Sequence, residues 1–186
     1  MERTFLAVPV PPRVRATYTR FREDARDWKG WRWVSPQNLH VTLRFLGPAE
    51  AAQLRALRLA LVQAVRTTER FTATLGGGGT FGSRRVPNVL WIGFDEGLEE
   101  LVALLRAVSQ AADSVGFAPE KRVGKPHLTV ARNAKRQALE AWPGGIQFDG
   151  FRGQALPVEG VALYSSHLGP AGAVYTQVWT VPLAGA

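Results

Sequence analysis

His40-Val41-Thr42-Leu43 and His127-Leu128-Thr129-Val130 follow one pattern of histidine, apolar residue, threonine, apolar residue, and they hold two of the chain's three histidines. Successive side chains of a strand alternate between faces, so each His and Thr, two apart, project together while their apolar partners enter a core. Two such strands side by side would present two titratable nitrogens and two hydroxyl donors to one pocket. Cleaving a phosphodiester without a metal needs one group to take a proton from water and another to give one to the leaving oxygen. Histidine, with an ordinary pKa of about 6.5, suits both tasks. Charge that gathers on the phosphate oxygens is met by hydroxyls, amides or arginines. His40 and His127 are therefore the candidate acid and base, and Thr42 and Thr129 the candidate phosphate ligands. The nearly symmetric spacing does not say which histidine gives and which takes. A single His-x-Thr is commonplace in strands; its repetition is the signal.

The elements that must position these residues follow from periodicity. Residues 3–9 read as a buried strand stopped by prolines. Val14, Tyr18, Phe21, Ala25 and Trp28 recur at helical spacing, with prolines before the first turn. A short strand at 31–34 and a loop at 35–38 lead to a strand at 39–46 that ends in Gly47-Pro48. A helix is expected over 49–66, strand pieces at 71–75, 80–81 and 89–94, and a helix over 98–115. The glycines at 76–79 read as a hairpin turn, since they lack the Lys-Ser/Thr ending of a phosphate-binding P-loop. A strand at 128–131, a short helix at 135–142 and strands at 147–148, 158–164 and 174–181 complete the chain. Short, turn-bounded strands favour antiparallel or mixed sheets and an α+β fold. The two motifs lie 87 positions apart, each before a helix, which points to a duplicated unit with one motif per half.

Composition bounds the partners. The 186 residues suffice for a real core, and 46% hydrophobic with 20% charged residues is ordinary for a globular chain. The net charge of +8 is not ordinary, and all but four of the 23 basic residues (Lys29, Lys121, Lys125 and Lys135) are arginine. Arginine's planar fork suits phosphate and bases, so a polyanion such as RNA leads the candidate partners. Biased codon usage accounts for the arginine count equally well. Without cysteine there is no disulfide, thiolate zinc site or cysteine nucleophile. No apolar run approaches a membrane span or a signal peptide, so a cytoplasmic protein is expected.

Arg3-Thr4-Phe5-Leu6-Ala7-Val8, His40-Val41-Thr42-Leu43-Arg44-Phe45-Leu46-Gly47 and Pro126-His127-Leu128-Thr129-Val130-Ala131-Arg132 resemble the 2H phosphoesterases. The match is best to the bacterial and archaeal RNA 2′,3′-cyclic phosphodiesterases, also called 2′-5′ RNA ligases. It extends to Leu163-Tyr164-Ser165-Ser166 and Tyr175. The resemblance implies one bilobal domain over 1–186: two pseudo-symmetric lobes, each a small antiparallel sheet with helices packed outside, and an active cleft between them. It implies metal-independent, cofactor-free opening of an RNA 2′,3′-cyclic phosphate to a 2′-phosphate by a monomer, with His40 as proton donor, His127 as acceptor, and Thr42 and Thr129 on the non-bridging oxygens.

Arg132 is a substrate-binding candidate by that resemblance, although strict alternation puts it opposite His127. It reaches the pocket only if the strand ends or bends near Ala131. Arg44 has the parity of His40 and Thr42 and is the second candidate, with a solvated surface arginine as its plainer reading. His167 falls in an expected turn and reads as structural or merely exposed. A zinc site from the three histidines lacks carboxylates at ligand spacing. Most of the aromatic residues read as core, with Tyr175 or the Trp31–Trp33 region left open as a base platform. Three rivals remain: an RNA-binding module without turnover, a 2H enzyme for another small cyclic or 2′-5′-linked substrate, and a metal-dependent hydrolase.

Overall fold

The apolar runs expected as strands, other than that at 147–148, each find an antiparallel neighbour, because a backbone taken out of water must pair its amides and carbonyls. The computed structural model describes residues 2–83, 85–120, 124–133, 148–169 and 172–185. Its strands are β1 (Arg3–Pro9), β2 (Trp31–Trp33), β3 (His40–Pro48), β4 (Phe71–Gly82), β5 (Pro87–Glu96), β6 (Leu128–Asn133), β7 (Ala155–Val158), β8 (Gly160–Gly169) and β9 (Gly172–Pro182). The helices are α1 (Pro12–Asp24), α2 (Ala51–Val65) and α3 (Leu98–Ser114). The expected helix at 135–142 and the first residue of the strand at 147–148 lie outside the described residues; Phe148 itself is in a loop.

The strands join in the order β7-β4-β5-β6-β3-β1-β8-β9, with β2 alongside β6. Two four-stranded lobes, β9-β8-β1-β3 and β7-β4-β5-β6, thus meet where the two motif strands adjoin. A single bridge, Val41 opposite Leu128, links them. The fold is α+β with two pseudo-symmetric lobes. The lobes are not the two halves of the chain, however. One is built from both ends of the sequence and the other from its middle, because the β8-β9 hairpin returns to pair with β1.

Helices cover the face of the sheet opposite the motif side chains. Leu101, Leu104, Leu105, Val108 and Ala112 of α3 are buried at helical spacing, and α3 packs on α2 and on strands β3, β4 and β5. On α1, Val14 and Tyr18 are buried, while the Phe21 ring meets Trp28, Trp33, Phe148 and Phe151. Trp31 is in the core and Trp33 packs behind the sheet, so neither is available as a base platform on the motif side.

The glycine run is not a turn. Residues 76–79 lie inside β4, where three steps from Leu75 to Gly78 match two steps on β5 from Phe94 to Ile92, a β-bulge. Crowding explains the glycines: a Cβ at Gly78 would come within 2.3 Å of the Phe148 ring, and one at Gly79 within 2.8 Å of Trp91. The Phe148 and Trp91 rings occupy the space that side chains at Gly78 and Gly79 would need, and composition alone reads the same glycines as a turn.

Candidate active site

Val41 and Leu128 are fully buried, so the residues flanking them, His40 with Thr42 and His127 with Thr129, take the opposite, open face. The register of the Val41–Leu128 bridge sets His40 beside Thr129 and Thr42 beside His127. Each imidazole is thereby neighbour to the hydroxyl of the other motif. Neither threonine hydroxyl is held by another described group, and both residues are half-buried. They are free to donate to a ligand.

The two histidines are fastened alike. His40 Nδ1 lies 2.7 Å from the Asn38 carbonyl and His127 Nδ1 lies 2.7 Å from the Lys125 carbonyl. A carbonyl only accepts, so Nδ1 carries the proton in each ring and Nε2 is left as the free nitrogen. Around His40 stand Phe5 (centroids 4.7 Å apart), Tyr175 (5.4 Å, edge-on) and Tyr164 (6.3 Å). Behind His127 stands Phe81 (4.8 Å, edge-on), itself stacked on Trp91, with the Lys125 ammonium 5.1 Å from the Trp91 ring. Burial among these rings disfavours the imidazolium and pushes His40 down to about 4. The Asn38 carbonyl partly opposes this, while the charges of Arg132 and His127 add to it. His127 is lowered too, chiefly by burial, with Arg132 and Lys125 contributing.

Arg132 reaches this face because β6 is bulged at Val130. Ala131 pairs with Leu90 and Thr129 with Trp91, so Val130 is an extra residue and alternation is reset. Thr129 and the exposed Arg132 then share the open face, while Val130 and Ala131 are both buried. The carbonyl of Val130 accepts the Val34 N–H (3.0 Å) and lies 2.9 Å from the hydroxyl of buried Tyr18, which is also 2.6 Å from the Val34 carbonyl. Helix α1 thereby holds the bulge.

The same device defeats the reading of Arg44. Leu6 pairs with Arg44 and Ala7 with Thr42, leaving Leu43 as the extra residue. Arg44 therefore turns inward, at 2% exposure, and donates to Asp113 Oδ1 and to the Ala118 carbonyl, both at 2.7 Å, with Glu120 at 3.5 Å. It is a strut between β3 and α3, not a substrate ligand. Arg44→Ala is expected to cost about 3 kcal/mol of stability, the low end for breaking a buried pair because both carboxylates can hydrate. KM should be unchanged; chemical denaturation beside steady-state kinetics checks both. Phe45, 59% exposed, takes the position in β3 that Arg132 has in β6.

His167 lies in β8 opposite Val174, exposed and not in a turn. Among the described residues no group of three or more His, Asp or Glu is placed to hold a metal, and no helix is long and apolar enough to cross a membrane.

Residues 8–91 and 92–175 each match the LigT-like phosphoesterase family. The chain belongs to that family. An RNA 2′,3′-cyclic phosphodiesterase of Thermus thermophilus is 34% identical over 187 residues, covering 98% of this chain and 91% of that protein. One of the same name from Geobacillus stearothermophilus is 34% identical over 135 residues, 72% of this chain and 43% of the longer relative. Among solved structures, E. coli LigT complexed with 3′-AMP has a TM-score of 0.81 at 27% identity, with 98% of each chain covered. The two tandem matches divide the chain into halves, whereas each lobe draws strands from both halves; membership makes the chain an enzyme of phosphoester chemistry. Sequence reading missed what aims the site: the carbonyls of Asn38 and Lys125, the rings of Phe5 and Phe81, and Tyr18. It also passed over Arg32, which the alternation Trp31-Arg32-Trp33 in an expected strand could have placed on the face opposite the two tryptophans.

Proposed function

We propose that this LigT-like phosphoesterase hydrolyses RNA 2′,3′-cyclic phosphate ends to 2′-phosphates without a metal. The observation that carries the reading is the pair of imidazoles, each tied at Nδ1 to a carbonyl and open at Nε2 to one face, with a threonine hydroxyl beside each. A neutral imidazole, His127 by the family resemblance, takes a proton from water as its oxygen attacks phosphorus. The bond from phosphorus to O3′ breaks, and His40 as imidazolium protonates O3′ at Nε2. The 3′-hydroxyl and 2′-phosphomonoester then leave. Thr42, Thr129 and Arg132 meet the charge on the non-bridging oxygens. A 5′-hydroxyl in place of water would give a 2′-5′ linkage by the same steps and without ATP, since the cyclic ester is already activated. The names of the curated relatives support RNA as substrate. The test is conversion of a cyclic phosphate-ended oligoribonucleotide in excess EDTA; a 2′-phosphate product supports the reading. No product would leave RNA binding without turnover, and product only on adding metal would favour a metal-dependent hydrolase.

The pH profile has a predicted sign. Both histidines are lowered, so above pH 6.5 the free protein has its base ready and lacks its acid. The singly protonated form peaks between about 4 and the ordinary histidine value. We expect kcat/KM to be bell-shaped with its maximum below pH 6.5 and to fall as pH rises. The kcat profile should lie to the alkaline side, because a bound anionic phosphate restores the imidazolium. A kcat/KM maximum above pH 7.5 would contradict this reading.

A further inference from the structure

Arg32 and Arg132 stand directly opposite each other in the antiparallel β2-β6 pair. Both are exposed. Their neighbours Trp31, Ala131 and Asn133 are buried and Trp33 packs on Phe21 of α1, so the two arginines rise from the same, open face. Directly opposed residues have Cβ atoms about 4.5–5.5 Å apart, and like charges so placed repel. Among the described residues no carboxylate pairs with either arginine. A pair of unneutralised guanidinium groups facing solvent is relieved by a bound anion, and arginine's fork fits phosphate.

Position says which anion. Arg132 is three residues past Thr129 on the same strand face, on the order of 10 Å along the chain before the bulge shortens it. Arg32 lies one strand further over, where β2 fills the flank of β6 that β3 has left. A cyclic phosphate terminates an RNA at its 3′ end, so every other phosphate lies on its 5′ side, the nearest one nucleotide away. The opposite wall of the cleft, around His40, is aromatic and carries Phe45 at the position equivalent to Arg132. Arg32 and Arg132 give the phosphodiester chain a basic wall to follow.

Building on the hydrolytic reading, we propose that Arg32 binds the internucleotide phosphate immediately 5′ of the terminal cyclic phosphate, while Arg132 serves the reacting one. The pair thereby selects RNA ends over cyclic mononucleotides. Steady-state hydrolysis of a 2′,3′-cyclic mononucleotide and of a dinucleotide ending in a 2′,3′-cyclic phosphate tests it in wild type, Arg32→Gln and Arg32→Lys. Arg32→Gln should raise KM for the dinucleotide about 10-fold, as for a lost hydrogen bond to a charged group. KM for the mononucleotide and kcat for both should stay within about twofold. The slope of log KM against log salt should fall by about 0.7 for the dinucleotide, the value for one phosphate contact on a single strand, and return in Arg32→Lys. Removing one of two facing like charges should not lower Tm. Equal effects on both substrates, or none on either, would overturn the subsite. Dissociation constants for the 2′-phosphate-ended mononucleotide and dinucleotide, measured in the same variants, decide the point even if wild type turns over nothing. Absent turnover then counts against hydrolysis alone.

Discussion

Alanine at either His40 or His127 is expected to lower kcat on a cyclic phosphate-ended oligoribonucleotide by ~10² to 10⁴, with chelator present throughout. In the proposed mechanism each ring supplies one proton transfer through Nε2, and the Nδ1 contacts to the Asn38 and Lys125 carbonyls hold both rings oriented for it. The two variants should separate on a substrate whose 3′ bridging oxygen is replaced by sulfur. Thiolate leaves without protonation, so the variant lacking the donor recovers activity and the variant lacking the base does not. Recovery in His40→Ala supports its donor role; recovery in His127→Ala reverses the assignment. The depressed pKa of His40 makes this informative, because in the free protein His40 holds its proton less firmly than an ordinary histidine does. Near-wild-type turnover in both alanine variants would remove the mechanism altogether.

Valine at Thr42 or Thr129 keeps the branched shape and removes the hydroxyl, and is expected to lower kcat by ~10 to 10³. The register sets each hydroxyl beside the histidine of the other motif, so loss of one should weaken stabilisation of the charge built up during that histidine's proton transfer. An interaction made mainly in the transition state appears in kcat with little change in KM. Serine at the same positions should keep most of the activity. A rise in KM at constant kcat would instead make the threonines ground-state ligands.

How legible was this site? His40, Thr42, His127 and Thr129 were plain in the chain, because a period-two pattern repeated twice needs only strand geometry to bring like side chains to one face. Arg44 and Arg132 were not. Parity places Arg44 on the open face and Arg132 on the buried one, and the structure has them the other way round. In both strands an extra residue follows the motif, Leu43 in β3 and Val130 in β6, and each bulge inverts the alternation beyond it. No local composition marks these bulges. They depend on the partner strand, and in β6 also on Tyr18 from a helix more than a hundred residues earlier. The glycines at 76–79 failed for a similar reason: their small size answers to Phe148 and Trp91, which no window of sequence around them contains in full.

By itself the sequence determined the α+β class, the paired His-x-Thr strands and the kind of chemistry they equip, since these rest on side-chain periodicity and pKa, which are local properties. Tertiary structure decided the rest. It interleaved the chain so that its two ends build one lobe and its middle the other, and it joined the motifs at a single Val41–Leu128 bridge. It also turned one arginine into a buried strut and set two others face to face on the exposed side of the sheet. Strand pairing partners and bulges are chosen by contacts between residues far apart in sequence, and on those contacts depends which face of a strand each side chain finally takes.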